Sequence, residues 1–124
     1  MENHNKETGA IGEHKASLYL KNHGYKIVER NFYTKLGEID IIAKKDGVVV
    51  FVEVKTRMQK IYGRPAEAVN RYKQKNIIKT AQVYMMKYNS EIECRFDVIE
   101  VYLKKSVFGY QAKINHIENA FGEF

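Results

Sequence analysis

The feature that most constrains this chain is the stretch 37–55. Two β-rich runs, Gly37-Glu38-Ile39-Asp40-Ile41-Ile42-Ala43-Lys44-Lys45 and Val48-Val49-Val50-Phe51-Val52-Glu53-Val54-Lys55, flank the pair Asp46-Gly47. An Asp-Gly pair favours a two-residue turn joining antiparallel strands. With that turn Lys45 faces Val48, and counting outward sets Asp40 opposite Glu53 and Glu38 opposite Lys55. Side chains alternate along a strand. Glu38, Asp40, Ile42, Phe51, Glu53 and Lys55 therefore share one face, and Ile39, Ile41, Ala43, Val50, Val52 and Val54 fill the other. The second face is wholly apolar and belongs against a core; the first turns ionic toward the open end of the hairpin.

Two carboxylates about 5 Å apart at an effective dielectric near 20 repel by roughly 3 kcal/mol. Something must offset this. Either Lys55 and Glu38 complete a surface charge ladder, or a divalent cation sits between Asp40 and Glu53. Magnesium suits the second reading, since it binds through one or two carboxylates together with water and phosphate. The five apolar residues 48–52 favour it too, because they mark a strand buried on both faces whose ionic end then lines a cleft.

A chain of 124 residues points to a single domain, 1–124, with a core of its own. The single cysteine, Cys94, excludes an intrachain disulfide and a multi-cysteine zinc site; it reads as a buried thiol at the start of a strand, in a protein of the reducing cytoplasm. Neither a signal peptide nor an apolar membrane span is visible, so a soluble protein with no membrane partner is expected. Net charge is +6, which suits a polyanionic partner. Its distribution is more telling: Lys55, Arg57, Lys60, Arg64, Arg71, Lys73, Lys75 and Lys79 stand against one acid, Glu67, directly after the carboxylate hairpin. Arg57, Lys60, Arg64 and Lys73 are thereby candidate nucleic-acid contacts, with Tyr62 able to stack on a base. A solvated helix and loop surface is the plainer alternative.

Around the hairpin the chain reads as follows. Residues 8–23 form a helix, with Thr8 as N-cap and Gly24 as stop. Ala16 and Leu20 face the core, and Glu13 lies on the same stripe one turn earlier, where a carboxylate also complements the helix dipole. A strand covers 25–32, with Tyr25, Ile27 and Glu29 on one side. Residues 66–88 are helical with a break near Asn70, burying Ile77, Ile78, Ala81, Tyr84, Met85 and Tyr88, and Gln74 extends that stripe. Strands 92–103 and 107–117 are joined around Lys104-Lys105-Ser106. Asp97 pairs with Arg95 or a neighbouring strand, and Ala120 and Phe121 tuck onto the sheet. The order predicts an α/β domain with a central mixed five-stranded sheet flanked by helices, the second helix being a crossover that sets the Phe96 strand parallel to the Val48 strand.

Gly37-Glu38-Ile39-Asp40 followed after twelve residues by Glu53-Val54-Lys55 resembles the signature of PD-(D/E)xK nucleases, especially the branch of archaeal Holliday-junction resolvases. Gly12-Glu13, Phe51-Val52-Glu53-Val54-Lys55-Thr56-Arg57, Glu67-Ala68-Val69, Lys73-Gln74, Arg95-Phe96-Asp97-Val98 and Ala120-Phe121 look like the YraN family of small bacterial proteins. Ile39 stands where the superfamily's name has proline. The resemblance implies a restriction-endonuclease-like fold and a Mg2+- or Mn2+-dependent endonuclease acting on DNA of branched or otherwise structured form, leaving 5′-phosphate and 3′-hydroxyl ends. It assigns Asp40 and Glu53 to the metal with the Val54 carbonyl beside them, Lys55 to the attacking water, Glu13 to the active site, and Gln74 to a secondary polar contact with nucleic acid. Calcium would support binding without turnover, and a homodimer follows from the resolvase likeness. The rival is a nucleic-acid-binding protein that keeps the fold but does not cut; a structural role for the hairpin ions is the third reading.

Overall fold

In the computed structural model, which describes residues 5–58 and 69–122, the chain runs α1 (Asn5–Asn22), β1 (Lys26–Thr34), β2 (Gly37–Lys45), β3 (Val48–Met58), α2 (Arg71–Met85), β4 (Cys94–Ser106) and β5 (Gly109–Phe121). The five strands form one mixed sheet in the order β1-β2-β3-β4-β5. All neighbours are antiparallel except β3 and β4, which are parallel and joined through α2 as the crossover. This is a single-domain α/β fold, compatible with a restriction-endonuclease-like architecture. Among the described residues no helix is long and apolar enough to cross a membrane.

The β2–β3 turn has the backbone its sequence requires, with φ of 52° at Asp46 and 79° at Gly47, and Lys45 pairs with Val48. β3 is the buried centre. Val50 and Val52 pack with Ile41, Ala43, Ile99, Val101 and Leu103 against Ala16 and Leu20 of α1. Val49 and Phe51 pack with Ile42, Phe96 and Val98 against Ile77, Ala81 and Tyr84 of α2. The run 48–52 is thus covered on both faces, one helix to each.

α1 ends in a Schellman motif: Tyr25 N–H donates to the Leu20 carbonyl at 2.9 Å and Gly24 N–H to that of Lys21 at 3.2 Å, with Gly24 at φ 88° and Tyr25 sharing a core with Leu20. α2 begins at the break expected near Asn70, whose side chain accepts from Lys73 N–H at 2.8 Å.

Several expectations are corrected. Thr8 is no N-cap: the helix is already formed at Asn5, and Thr8 is buried inside it. The strand 25–32 does not alternate throughout, since a register shift between Ile27 and Glu29 breaks the common face of those two. Ile39 leaves the face of Ile41 and joins the α2 core. The cause lies in β1, where Asn31 adopts φ 54° between the pairs Arg30↔Ile41 and Phe32↔Ile39. A left-handed residue within a strand re-aims its neighbours. Cys94 is exposed, because burial in β4 begins only at Phe96. The β4–β5 turn is Val107-Phe108, two residues further than expected: Ser106 pairs with Gly109, its hydroxyl donates to the Gly109 carbonyl at 3.0 Å, and Gly109 takes φ 111°. Phe121 stacks on Phe96 at 5.3 Å, whereas Ala120 is exposed.

Candidate functional site

β2 and β3 pair from Lys45↔Val48 as far as Ile41↔Val52. In a continued ladder the Val54 N–H would reach the Ile39 carbonyl. It donates instead to Asp40 Oδ2 at 2.8 Å, so the aspartate side chain occupies the point where the strands part. The two hollows at this opening, of about 440 and 490 Å3, share Asp40, Glu53 and Lys73 in their walls. Thr34, Gly37, Glu38 and Asn76 line the first. Thr8, Glu13, Val54, Lys55 and Thr56 line the second. Asp40 and Glu53, placed opposite each other by counting from the turn, thus meet in one cleft.

The acids of this cleft are only partly compensated by its own residues. Burial, and then the charge of Glu53, push the Asp40 carboxyl up to about 8, against the pull of the Val54 N–H. Glu53 is buried and meets Lys73 Nζ at 2.7 Å from Oε2. Burial would depress the Lys73 ammonium, but its hydrogen bond to Glu53 and the nearby carboxylate charges outweigh this, and its pKa is raised.

Glu13 reaches the cleft because α1 passes unusually close to β3. A Cβ on Gly12 would lie 2.0 Å from Thr56 Oγ1, so only glycine permits this approach and brings the next residue over the carboxylate pair. Arg30 stands 3.8 Å from Glu13 Oε1. Burial raises the Glu13 pKa, Arg30 and a hydrogen bond to Asn31 oppose the rise, and the charges of Glu38 and Glu53 add to it. The backbone irregularity at Asn31 and the placement of Glu13 are therefore one feature.

Glu13, Asp40, Glu53 and Lys55, the four residues singled out as catalytic, line a single hollow. Glu38 and Lys55 do not close a ladder pair in the recorded register: Glu38 pairs with Tyr33 of β1, and Lys55 lies beside Glu100 of β4. Of the expected nucleic-acid contacts, Lys73 faces Glu53. Arg57 continues β3 beside Tyr102, where its charge acts on the phenol. Gln74 lines neither hollow; its Nε2 donates to the Val69 carbonyl at 2.7 Å, a bond that secures the helix start. Lys60, Tyr62, Arg64 and Glu67 lie outside the described residues, as does the expected helix start at Ala66. Sequence reasoning missed Arg30 and Asn31; the signal was an asparagine inside a strand, a residue type enriched at positive φ. It also missed that Lys73 pairs with Glu53.

Two carboxylates and no third His, Cys, Asp or Glu close enough to complete a group of three are found among the described residues. Magnesium or manganese fits such a pair, because these ions keep several waters and need only one or two carboxylates from the protein. A cation arriving between the two acids would lower the Asp40 value that burial and Glu53 raise.

The chain is similar to curated relatives along nearly its whole length. It is 53% identical over 119 residues to a UPF0102 protein of Clostridium botulinum (strain 657 / Type Ba4), covering 94% of this chain and 95% of the relative. It is 50% identical over 123 residues to a UPF0102 protein of Caldanaerobacter subterraneus subsp. tengcongensis, covering 98% and 100%. The profile of the uncharacterised protein family UPF0102 matches residues 12–101, a span that runs from Gly12 through the hairpin and α2 into β4. The chain belongs to the UPF0102 family.

Proposed function

We propose that this protein is a divalent-metal-dependent endonuclease of the PD-(D/E)xK type acting on DNA, with preference for branched or otherwise structured substrates. The observation that carries the reading is the Asp40–Glu53 cleft, where a half-buried and a buried acid meet at the parted ends of β2 and β3 with Asp40 pushed up to about 8 and Lys55 and Glu13 in the same wall. Glu53 has Lys73 beside it, whereas Asp40 accepts from the Val54 N–H and stays raised because burial and the Glu53 charge outweigh that bond.

Asp40 and Glu53 would hold Mg2+ or Mn2+, which supplies polarisation of the phosphoryl oxygen and stabilisation of the leaving oxygen. The chain's own groups do the rest. The Val54 N–H fixes one Asp40 oxygen. Lys55 orients the attacking water and offsets charge growing on the phosphate. Glu13, with its raised pKa, holds or passes a proton at the edge of the hollow.

One observation favours a binder that does not cut: Lys73 already neutralises Glu53 at 2.7 Å. The two readings part in a single assay. Wild type incubated with four-way, flap and single-stranded DNA should nick at least one of them in magnesium or manganese, and Asp40→Asn should lose on the order of 10³-fold or more in rate, about 4 kcal/mol of transition-state stabilisation. Wild type that never cuts in either metal, or Asp40→Asn that cuts as fast as wild type, overturns the reading.

A further inference from the structure

Lys73 is the third residue of α2, and its backbone is fixed by the cap, since its N–H donates to Asn70 Oδ1 at 2.8 Å. From that fixed point the side chain spans the cleft to Glu53, Nζ to Oε2 at 2.7 Å. The partners differ in freedom: the Glu53 side chain is 5% exposed and that of Lys73 is 49% exposed. One end of the pair is locked in the sheet, and the other is a flexible stem at the mouth.

A lysine ammonium has three donors and no acceptor. It occupies Glu53 Oε2, and its charge opposes a divalent ion arriving at the same carboxylate, so metal entry favours moving Lys73 off. Its Cα is held by the helix cap and it lines both hollows, so a displaced side chain would carry its charge toward the opening.

We propose that Lys73 is a positioning residue that couples metal entry to substrate binding: it holds Glu53 in the metal-free protein, yields that carboxylate to the ion, and then contacts a substrate phosphate. This rests on the endonuclease reading above. The coupling is reciprocal by linkage, so nucleic acid must tighten metal binding by the factor with which metal tightens nucleic acid.

The test compares wild type with Lys73→Met and Lys73→Arg at pH 9. Calcium is titrated calorimetrically without DNA, and the affinity for a labelled four-way DNA is measured by anisotropy with and without calcium. Lys73→Met, having no ammonium to displace, should bind calcium several-fold more tightly than wild type. Its gain in DNA affinity on adding calcium should fall at least threefold, and Lys73→Arg should restore that gain. Thermal unfolding of each variant confirms that it is folded, as expected for a half-exposed side chain. Calcium affinity in Lys73→Met equal to or weaker than wild type, or an unchanged calcium effect on DNA binding, overturns the role of Lys73 alone. Wild type that takes up no calcium and cuts no DNA overturns the endonuclease reading and this inference with it.

Discussion

Asp40 and Asp97 are two aspartates of one sheet that have been given opposite surroundings. Asp97 pairs in register with Val52, one residue from Glu53, on β4. Its side chain is fully buried and every approach to it is filled. Arg95 donates to both oxygens, Nε to Oδ1 at 2.9 Å and Nη2 to Oδ2 at 3.0 Å. His116 Nε2 lies 2.8 Å from Oδ2, and the Asn119 N–H donates to Oδ1 at 2.9 Å. The partners are held in turn: Arg95 Nη2 donates to the Tyr25 hydroxyl at 2.6 Å, and the Tyr19 hydroxyl is 3.2 Å from His116 Nδ1. Burial alone would raise the Asp97 pKa, but His116, Arg95 and the Asn119 amide together lower it. Asp40 has one backbone N–H and a second acid. Desolvation pushes both upward, so the difference is one of compensation. A carboxylate enclosed by donors ties β4, β5, α1 and the start of β1 together; one left facing a like charge ties nothing beyond the Val54 N–H.

The largest stability effect should fall on the satisfied aspartate. Asp97→Asn leaves the partly buried Arg95 against a neutral amide and breaks a charge-assisted pair, which should cost about 3 kcal/mol. Asp40→Asn should unfold at the same or a higher denaturant concentration than wild type in metal-free buffer at pH 8, because it removes repulsion and keeps an oxygen for the Val54 N–H. Urea unfolding of the two variants checks this, and a large loss in Asp40→Asn with none in Asp97→Asn would erase the distinction between the two sites.

The pH dependence sharpens it, since the two shifts have opposite signs. The folded Asp40 value of about 8 lies above the ordinary 3.8. Folded protein therefore keeps a proton that the unfolded chain has released; this contribution is complete below pH 3.8 and is lost as pH rises through 8. Asp97, with its lowered value, contributes stability that is present above 3.8 and lost as pH falls through its folded value. Between pH 5 and pH 9, metal-free wild type should lose about 4 kcal/mol relative to Asp40→Asn, measured by urea unfolding at each pH. The gap between wild type and Asp97→Asn should instead narrow only in acid.

Divalent metal should act on one aspartate alone. At a calcium concentration a hundred times its dissociation constant, wild type and Asp97→Asn should each gain about 2.7 kcal/mol, and Asp40→Asn should gain little. Thermal shifts with calcium measure it. Equal shifts in all three would mean that the ion binds elsewhere.

How much of this contrast was legible in the sequence follows from the range of the forces involved. The Asp46-Gly47 turn is local, and its register reached Asp40 and Glu53 by counting; the crossover helix followed from length and periodicity. Asp97 beside Arg95 could be paired by proximity, but His116 and the Asn119 amide come from β5, where no local signal points to them. Lys73 meets Glu53 only after the chain has crossed the sheet, so its basic neighbours made it read as part of an open surface. Ile39 was set on the wrong face because strict alternation holds only while the ladder is regular, and Asn31, on a different strand, breaks it. Those misplacements at Ile39 and Lys73 lie around the cleft, where β2 and β3 part; a functional site there would account for the departure from regular geometry.

The smallest effect tests whether that geometry is held by close packing. Gly12→Ala would put a Cβ at 2.0 Å from Thr56 Oγ1, 2.9 Å from its Cγ2 and 3.0 Å from its Cβ. Neither α1 nor β3 can absorb that without moving, since both belong to one core, so the strain falls on the middle of α1, which carries Glu13. Overpacking of this kind costs about 1–2 kcal/mol. Because Ala also favours the helix by up to about 1 kcal/mol over Gly, the net loss should be small while cleavage drops more than stability does. Thr56→Ala removes the two nearer atoms and should recover part of both losses in the double variant, a coupling that only contacting residues show. Recovery of stability without activity would mean that Glu13 is placed by Arg30 and Asn31 alone, and no recovery of either would mean that Gly12 serves something other than this approach.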